Sequence, residues 1–217
     1  MKVALIPALE ISPPSIDWQL VGPRPIGHFW QNPLEWDNYQ ARLLQVAGLA
    51  DHKRIIQGSH FLSLDSWSLS DLRSIIRWHL GPEGNDIPAA DSCALFGGGV
   101  LFVDDSPVLV PQCCSTLADL QSWSALLEPQ FQSGYFCLEG HPCPKATRQE
   151  HILRIVCQDE YEDFNQPAEA AFSLEIAALA TAVFATEEAL ASFCEKVDML
   201  SAEFGVQRLS DQLVRGK

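Results

Sequence analysis

The chain has 217 residues, 47% of them hydrophobic and 19% charged, which is ample material for a packed core and too apolar for extended disorder. It carries 28 acidic and 14 basic side chains, a formal net charge of −14. That balance excludes nucleic acid as a direct ligand, because phosphate binding needs a Lys/Arg face, and it disfavours anionic membranes; it suits a basic protein partner.

The N-terminal run from Met1 to Ile11 is apolar after Lys2, but Pro7 and Glu10 interrupt it. It is too short for a membrane span and lacks a signal-peptide cleavage site, and no other run reads as long enough to span. The 7 cysteines, with no export signal, point to reduced thiols and a cytoplasmic protein.

In chain order, Val3 to Ile11 reads as a first strand, ended by Ser12-Pro13-Pro14, and Ile16 to Val21 as a second. Gly22-Pro23-Arg24-Pro25 forces an extended loop. Asn32 followed by Pro33 starts a helix, with Trp36, Tyr39, Leu43, Leu44 and Ala47 at helical spacing and Gly48 as its stop. Phe61 to Leu64 reads as a strand. Ser68 caps a helix with Asp71 in the box position, its apolar side Leu69, Leu72, Ile75 and Ile76, and Gly81 in the left-handed position before Pro82 ends it. Gly84 to Ser92 reads as a polar loop.

Leu95 to Trp123 is the stretch around which the chain is organised. Gly97-Gly98-Gly99 permits a bulge or a close chain approach. Val100–Val103 and Val108–Val110 read as buried strands joined by a turn over Asp104 to Pro107. Thr116 caps the next helix, with Asp119 in the box position and Leu117, Leu120, Trp123, Leu126 and Leu127 as its stripe. Tyr135 to Leu138 and Ile152 to Cys157 read as an antiparallel pair, with a crossing loop over Lys145 to Glu150. Asp159 to Asp163 reads as an acidic loop, and Phe172, Leu174 and Ile176 as a strand running into the last helix. That helix carries Leu179, Val183, Thr186, Leu190, Phe193, Val197, Leu200 and Phe204 in steps of four and three. Gly205 stops it, and Leu209, Leu213 and Val214 make a short closing turn.

The expected fold is α+β: a mostly antiparallel sheet with packed helices and a long C-terminal helix. Residues 1–170 form its body and 171–217 a helical segment packed on it, one domain in all. The narrow stripe of the last helix would also suit pairing with a second copy, a homodimer, although packing on its own sheet is the favoured reading.

Potential ligands cluster at Cys113, Cys114, Cys137, His141, Cys143 and His151. The spacing fits zinc only loosely, and adjacent cysteines on an extended strand point to opposite faces. A thiol at Cys113 or Cys114 with His141 as base and an Asp as orienter is the catalytic alternative. The favoured reading makes these cysteines small buried hydrophobes, with no metal, no cofactor and no catalytic residue assigned. The Gly triplet lacks the Lys-Ser/Thr ending of a phosphate loop, and the acidic run lacks the pattern of a calcium loop.

Pro111-Gln112-Cys113-Cys114-Ser115-Thr116-Leu117-Ala118-Asp119-Leu120 with Trp123, and Gly140-His141-Pro142-Cys143-Pro144 ahead of a strand, resemble segments of bacterial proteins akin to immunity proteins of polymorphic toxin systems, including the SUKH group. The resemblance implies a mixed α/β fold that binds and blocks a toxin. The expected function is therefore a non-enzymatic, acidic binding module, an immunity protein for a basic toxin. Asp104, Asp105, Asp159, Glu160, Glu162 and Asp163 would steer the partner, and Trp30, beside His28 and Phe29 in a Pro/Gly-rich loop, would anchor it. The rival is a hydrolase or zinc-binding protein using His141 with Cys113, Cys114 or Cys143.

Overall fold

The computed structural model describes residues 1–11, 13, 16–65, 67–81 and 87–217. Two antiparallel four-stranded sheets and a set of helices make up the α+β fold. The first sheet combines β1 (Val3–Glu10), β2 (Phe61–Ser63), β3 (Gly97–Val103) and β4 (Ser106–Leu109) in the order β2-β1-β3-β4. The second, in the order β5-β6-β7-β8, combines β5 (Ser133–Tyr135), β6 (Lys145–Gln149), β7 (Ile152–Val156) and β8 (Ala171–Glu175).

β1 pairs with β3 along its length, from Val3 opposite Val103 to Leu9 opposite Gly97. A side-chain carbon on Gly97 would overlap the Ala8 carbonyl oxygen, and its φ of 145° is one that glycine alone adopts readily. Close approach, then, is what the Gly triplet provides; the register shift lies further on, between Leu101 and Phe102. Asp104 and Asp105 form the β3–β4 turn, with φ of 47° and 66°.

The helices are α1 (Trp18–Val21), α2 (Pro33–Val46), α3 (Leu69–Leu80), α4 (Leu120–Ala125), α5 (Ile176–Asp198) and α6 (Leu209–Leu213). Ser68 caps α3 by accepting the Asp71 N–H at 3.1 Å. β8 runs directly into α5, as the alternation at Phe172 and Leu174 implies. The α5 stripe of Leu179, Val183, Thr186, Leu190, Phe193 and Val197 is buried, and the helix lies against β1, α3, α4 and α6. Thr186 ties it to the sheet by donating to the Leu5 carbonyl at 2.5 Å. One apolar core runs from Leu5 to Val214, through both parts of the chain.

Several expectations are corrected. Residues 18–21 form α1 rather than a strand, because Asp17 accepts the Gln19 N–H at 3.0 Å and starts a helical turn. Asn32 occupies the N-cap of α2 without a side-chain bond, so Pro33 alone presets that start. Gly81 has φ 127° and ψ 132°, a glycine conformation but not the left-handed helical one. Pro82 and the first residues of the expected polar loop, Gly84 to Asp86, lie outside the described residues, as do Ser12 and Pro14.

Lys145 to Gln149 is a strand rather than a loop, and it separates β5 from β7, so the expected pairing of those two does not occur. Its pattern was hidden because only Ala146 of its five residues is buried. β5 ends at Tyr135; Phe136 turns into the core, its ring centroid 4.8 Å from that of Trp123 in an edge-on contact, and Cys137 has φ 53°. Ile176–Asp198, with a mean hydropathy of 1.4, is long and apolar enough to cross a membrane by length and composition, contrary to the expectation that no run is. Its alanines raise hydropathy without bulk, while Leu179, Val183, Leu190, Phe193 and Val197 are buried and Phe184 is exposed.

Replacing Gly97 by Ala is expected to cost about 3 kcal/mol or more, since it forces both a strained φ and separation of β1 from β3. Urea denaturation of the variant beside the parent protein measures this; a loss below about 0.5 kcal/mol would show that the strands can part freely.

Candidate functional site

Between β4 and α4 the chain runs through Gln112, Cys113, Cys114, Ser115 and Thr116. This strap is held on both sides by backbone bonds. On one side the Gly97 N–H donates to Ser115 O at 3.0 Å and the Leu117 N–H to Leu95 O at 2.9 Å. On the other, the His141 N–H donates to Cys113 O at 3.0 Å, an antiparallel bridge that sets the two residues opposite each other. Gly140 is the close-approach point, because a side-chain carbon there would collide with the Ser115 hydroxyl.

Cys114 has φ 64°. This kink removes the alternation expected of an extended strand and turns the two adjacent sulfurs toward the same side, 3.6 Å apart. Cys113 Sγ, Cys114 Sγ and a nitrogen of His141 all lie within 4.8 Å of one another, and all three residues are exposed. His141 Nδ1 is 2.7 Å from Glu162 Oε2. That bond, and the nearby Cys114 sulfur, hold the His141 pKa above its ordinary value. The neighbouring Cys114 sulfur, in turn, pushes the Cys113 thiol up.

Glu162 is presented by a built loop. Asp159 Oδ1 accepts the N–H groups of Tyr161 at 2.9 Å and Glu162 at 3.2 Å. The loop's far end is tied to the strap where Gln112 Oε1 accepts the Asn165 N–H at 2.7 Å. Gln112 is buried and its Nε2 also donates to Val110 O at 2.7 Å.

Beneath the His141 turn sits Asp119, 5% exposed. Its Oδ1 accepts the Glu139 N–H at 3.1 Å, and Thr116 Oγ1 donates to the Glu139 carboxylate. Thr116 also accepts the Ala118 N–H at 3.2 Å, so the cap is real, although a 3₁₀ turn over Leu117–Asp119 precedes α4. Asp119 does not close a capping box; it fixes the segment that carries His141. Its Oδ2 has no hydrogen-bond partner, and burial raises its pKa.

The remaining members of the sequence cluster stay outside this group of donors. Cys143 donates to Gly140 O at 3.1 Å, Cys137 is packed beside Ser122 with its thiol pushed far up by burial, and His151 is exposed in the β6–β7 turn. Burial raises Cys157 to about 12, leaving it an inert core thiol.

Cys113 and Cys114 form part of the wall of a recess of about 670 Å³. A second groove, of about 1100 Å³, is lined by Trp30 together with Asp159, Glu160, Glu162 and Asp163. Those five expected contacts therefore come together. Asp104 and Asp105 do not join them: at the hairpin tip they hold Lys2, through its N–H at 2.8 Å and its Nζ at 2.7 Å. Trp30 is half-buried and stacked on His28 with ring centroids 4.1 Å apart, whereas Trp18 is the more open, 53% exposed. Sequence reasoning missed Gln112, Ser115 and Asp119 as positioning residues. A glutamine two residues beyond the apolar run Val108–Val110, after Pro111, was the available signal for the first.

No family model matches the chain, and neither a curated protein nor a solved structure matches it.

The donor set permits two chemistries. Cys114, His141 and Glu162 stand in the order of nucleophile, base and orienter. Alternatively two thiolates and an imidazole bind a metal, with Glu162 as the carboxylate behind the histidine.

Asp119 makes a pH prediction with a definite sign. Unfolded, it ionises near its ordinary value of 3.8; folded, it holds its proton to higher pH, so native stability falls as pH rises from about 3.8 through the raised value. Asp119→Asn keeps the acceptor for Glu139 and removes the charge. It is expected to stabilise the fold at pH 7 by about 1 kcal/mol, with the gain vanishing below the ordinary carboxylate value. Thermal melts of both proteins across that pH range check it; an equal difference at every pH would show that Asp119 titrates normally.

Proposed function

We propose that this protein binds one zinc-type cation through Cys113, Cys114 and His141, leaving a fourth position open beside the recess. One measurement carries the reading. Two thiolates about 2.3 Å from a tetrahedral zinc stand about 3.8 Å apart, and the two sulfurs are 3.6 Å apart. The Cys114 kink that brings this about is hard to explain for inert cysteines. Glu162 on Nδ1 supports it further, since a metal-bound histidine commonly donates its other N–H to a carboxylate. The Cys114-only alternative leaves Cys113 without a role. A zinc ion with an open position lowers the pKa of a bound water to about 7 and polarises carbonyls, so hydrolysis is the reaction class the centre would serve.

A second reading is favoured by the shared groove of Trp30 and the acidic loop: recognition of a basic protein in the cytoplasm, with a toxin domain as the partner class that the SUKH resemblance implies. Electrostatic steering by a chain of net charge −14 would speed that encounter.

Titrating metal-free protein with Co²⁺ tests the first reading. Thiolate-to-cobalt charge-transfer absorption saturating at one equivalent is expected, absent in Cys113→Ser/Cys114→Ser and weakened roughly 10- to 100-fold in Glu162→Gln. Saturation that persists in the double serine variant, or no binding by the parent, would overturn it. For the second reading, binding to a basic toxin domain would weaken on Glu160→Gln/Asp163→Asn.

A further inference from the structure

We infer that the recess beside the thiol pair holds a small, planar, largely apolar molecule carrying one carboxylate. At about 670 Å³ it falls in the size range of small-molecule pockets. Trp18, Phe29, Trp30 and Trp36 contribute to its walls, and Trp18, 53% exposed, offers a flat surface suited to stacking against a ring.

The polar groups define the rest. Gln40 lines the recess and is 6% exposed. Trp36, on the same wall and 6% exposed, has an indole N–H without a partner. Arg24 places its guanidinium 5.1 Å from the centre of the Trp36 ring, with no carboxylate in ion-pair range among the described residues. The acid lining the recess, Glu10, is turned to His60 at 3.4 Å. A cation lying over an aromatic face beside an unpaired indole N–H is a receptor for a ring with a carboxylate at its edge, because guanidinium pairs with carboxylate through two parallel bonds. The net charge of −14 repels anions at long range, so this recognition is a short-range one.

The inference does not rest on the metal, and metal-free protein separates the two. Naphthalene-2-carboxylate, naphthalene-2-carboxamide and decanoate are titrated into the full chain, with tryptophan fluorescence and calorimetry as readouts. Saturable 1:1 binding is expected, with the carboxylate roughly tenfold tighter than the amide and decanoate weaker than both. Arg24→Gln should bring the two naphthalenes level, and Gln40→Leu should weaken both. No saturable binding, a carboxylate preference that survives Arg24→Gln, or decanoate binding as well as the rings would each overturn the proposal, while the cobalt titration would stand unaffected.

Discussion

The site depends on one constraint, the double clamp on the strap from Gln112 to Thr116. Leu95 and Gly97 hold it from the first sheet, and His141 holds it from the turn that precedes β6. Backbone register, not side-chain preference, thus sets Cys113 opposite His141. Each residue of the strap is consequently assigned a direction. Gln112 points inward to the acidic loop, Ser115 toward Gly140, and the two cysteines outward together. Glycine at 97 and at 140 is what lets the three layers of backbone approach so closely.

That clamp is only as firm as the sheets it joins, and α5 supplies much of their firmness. Leu179, Val183, Leu190, Phe193 and Val197 are buried along its inner side, each stabilising the fold by roughly 1.5–3 kcal/mol relative to exposure. The same side carries the Thr186 bond to Leu5 O in β1, the strand that pairs with the glycines of β3. The seam that would suit pairing with a second copy is therefore occupied by the chain's own sheet. Farther out, Arg73 and Arg77 converge on Glu203, at 2.7 Å and 2.8 Å, and fasten α3 to the segment after α5.

Strong periodicity was legible in the sequence. The stripe of α5, the Ser68 cap and the apolar strands around Asp104-Asp105 each carry a local signal tied directly to burial. Misreadings fall where burial and local pattern part company. Phe136 looked like strand and is a core anchor at the end of one; Ala146 alone marked the buried side of β6; Asp17 outweighed the alternation of Ile16 to Val21. At the site, the composition of the cluster was visible and its geometry was not. Nothing local marks Cys114 for positive φ, a state stabilised by bonds to residues some 20 to 30 positions away. Glu162 stood out as an exposed charge, but its partner His141 is set by tertiary structure.

Glu162 also decides how the two readings of the surface relate. Its carboxylate is committed to His141 at 2.7 Å, and Asp159 spends one oxygen holding the loop's own N–H groups. Among the described residues, that leaves Glu160 and Asp163 as the acids of the groove without a hydrogen-bond partner. A basic partner would therefore meet two available carboxylates and one aromatic edge, a small recognition surface, unless it drew Glu162 away from the imidazole. Drawing it away would release the histidine's orienting bond and weaken any metal held there. A cation at the thiols and a basic chain in the groove would thus compete for one carboxylate, and the stronger claim would belong to the imidazole already within hydrogen-bond distance. In this arrangement the acidic loop serves first to position His141, and only its remaining charges face outward.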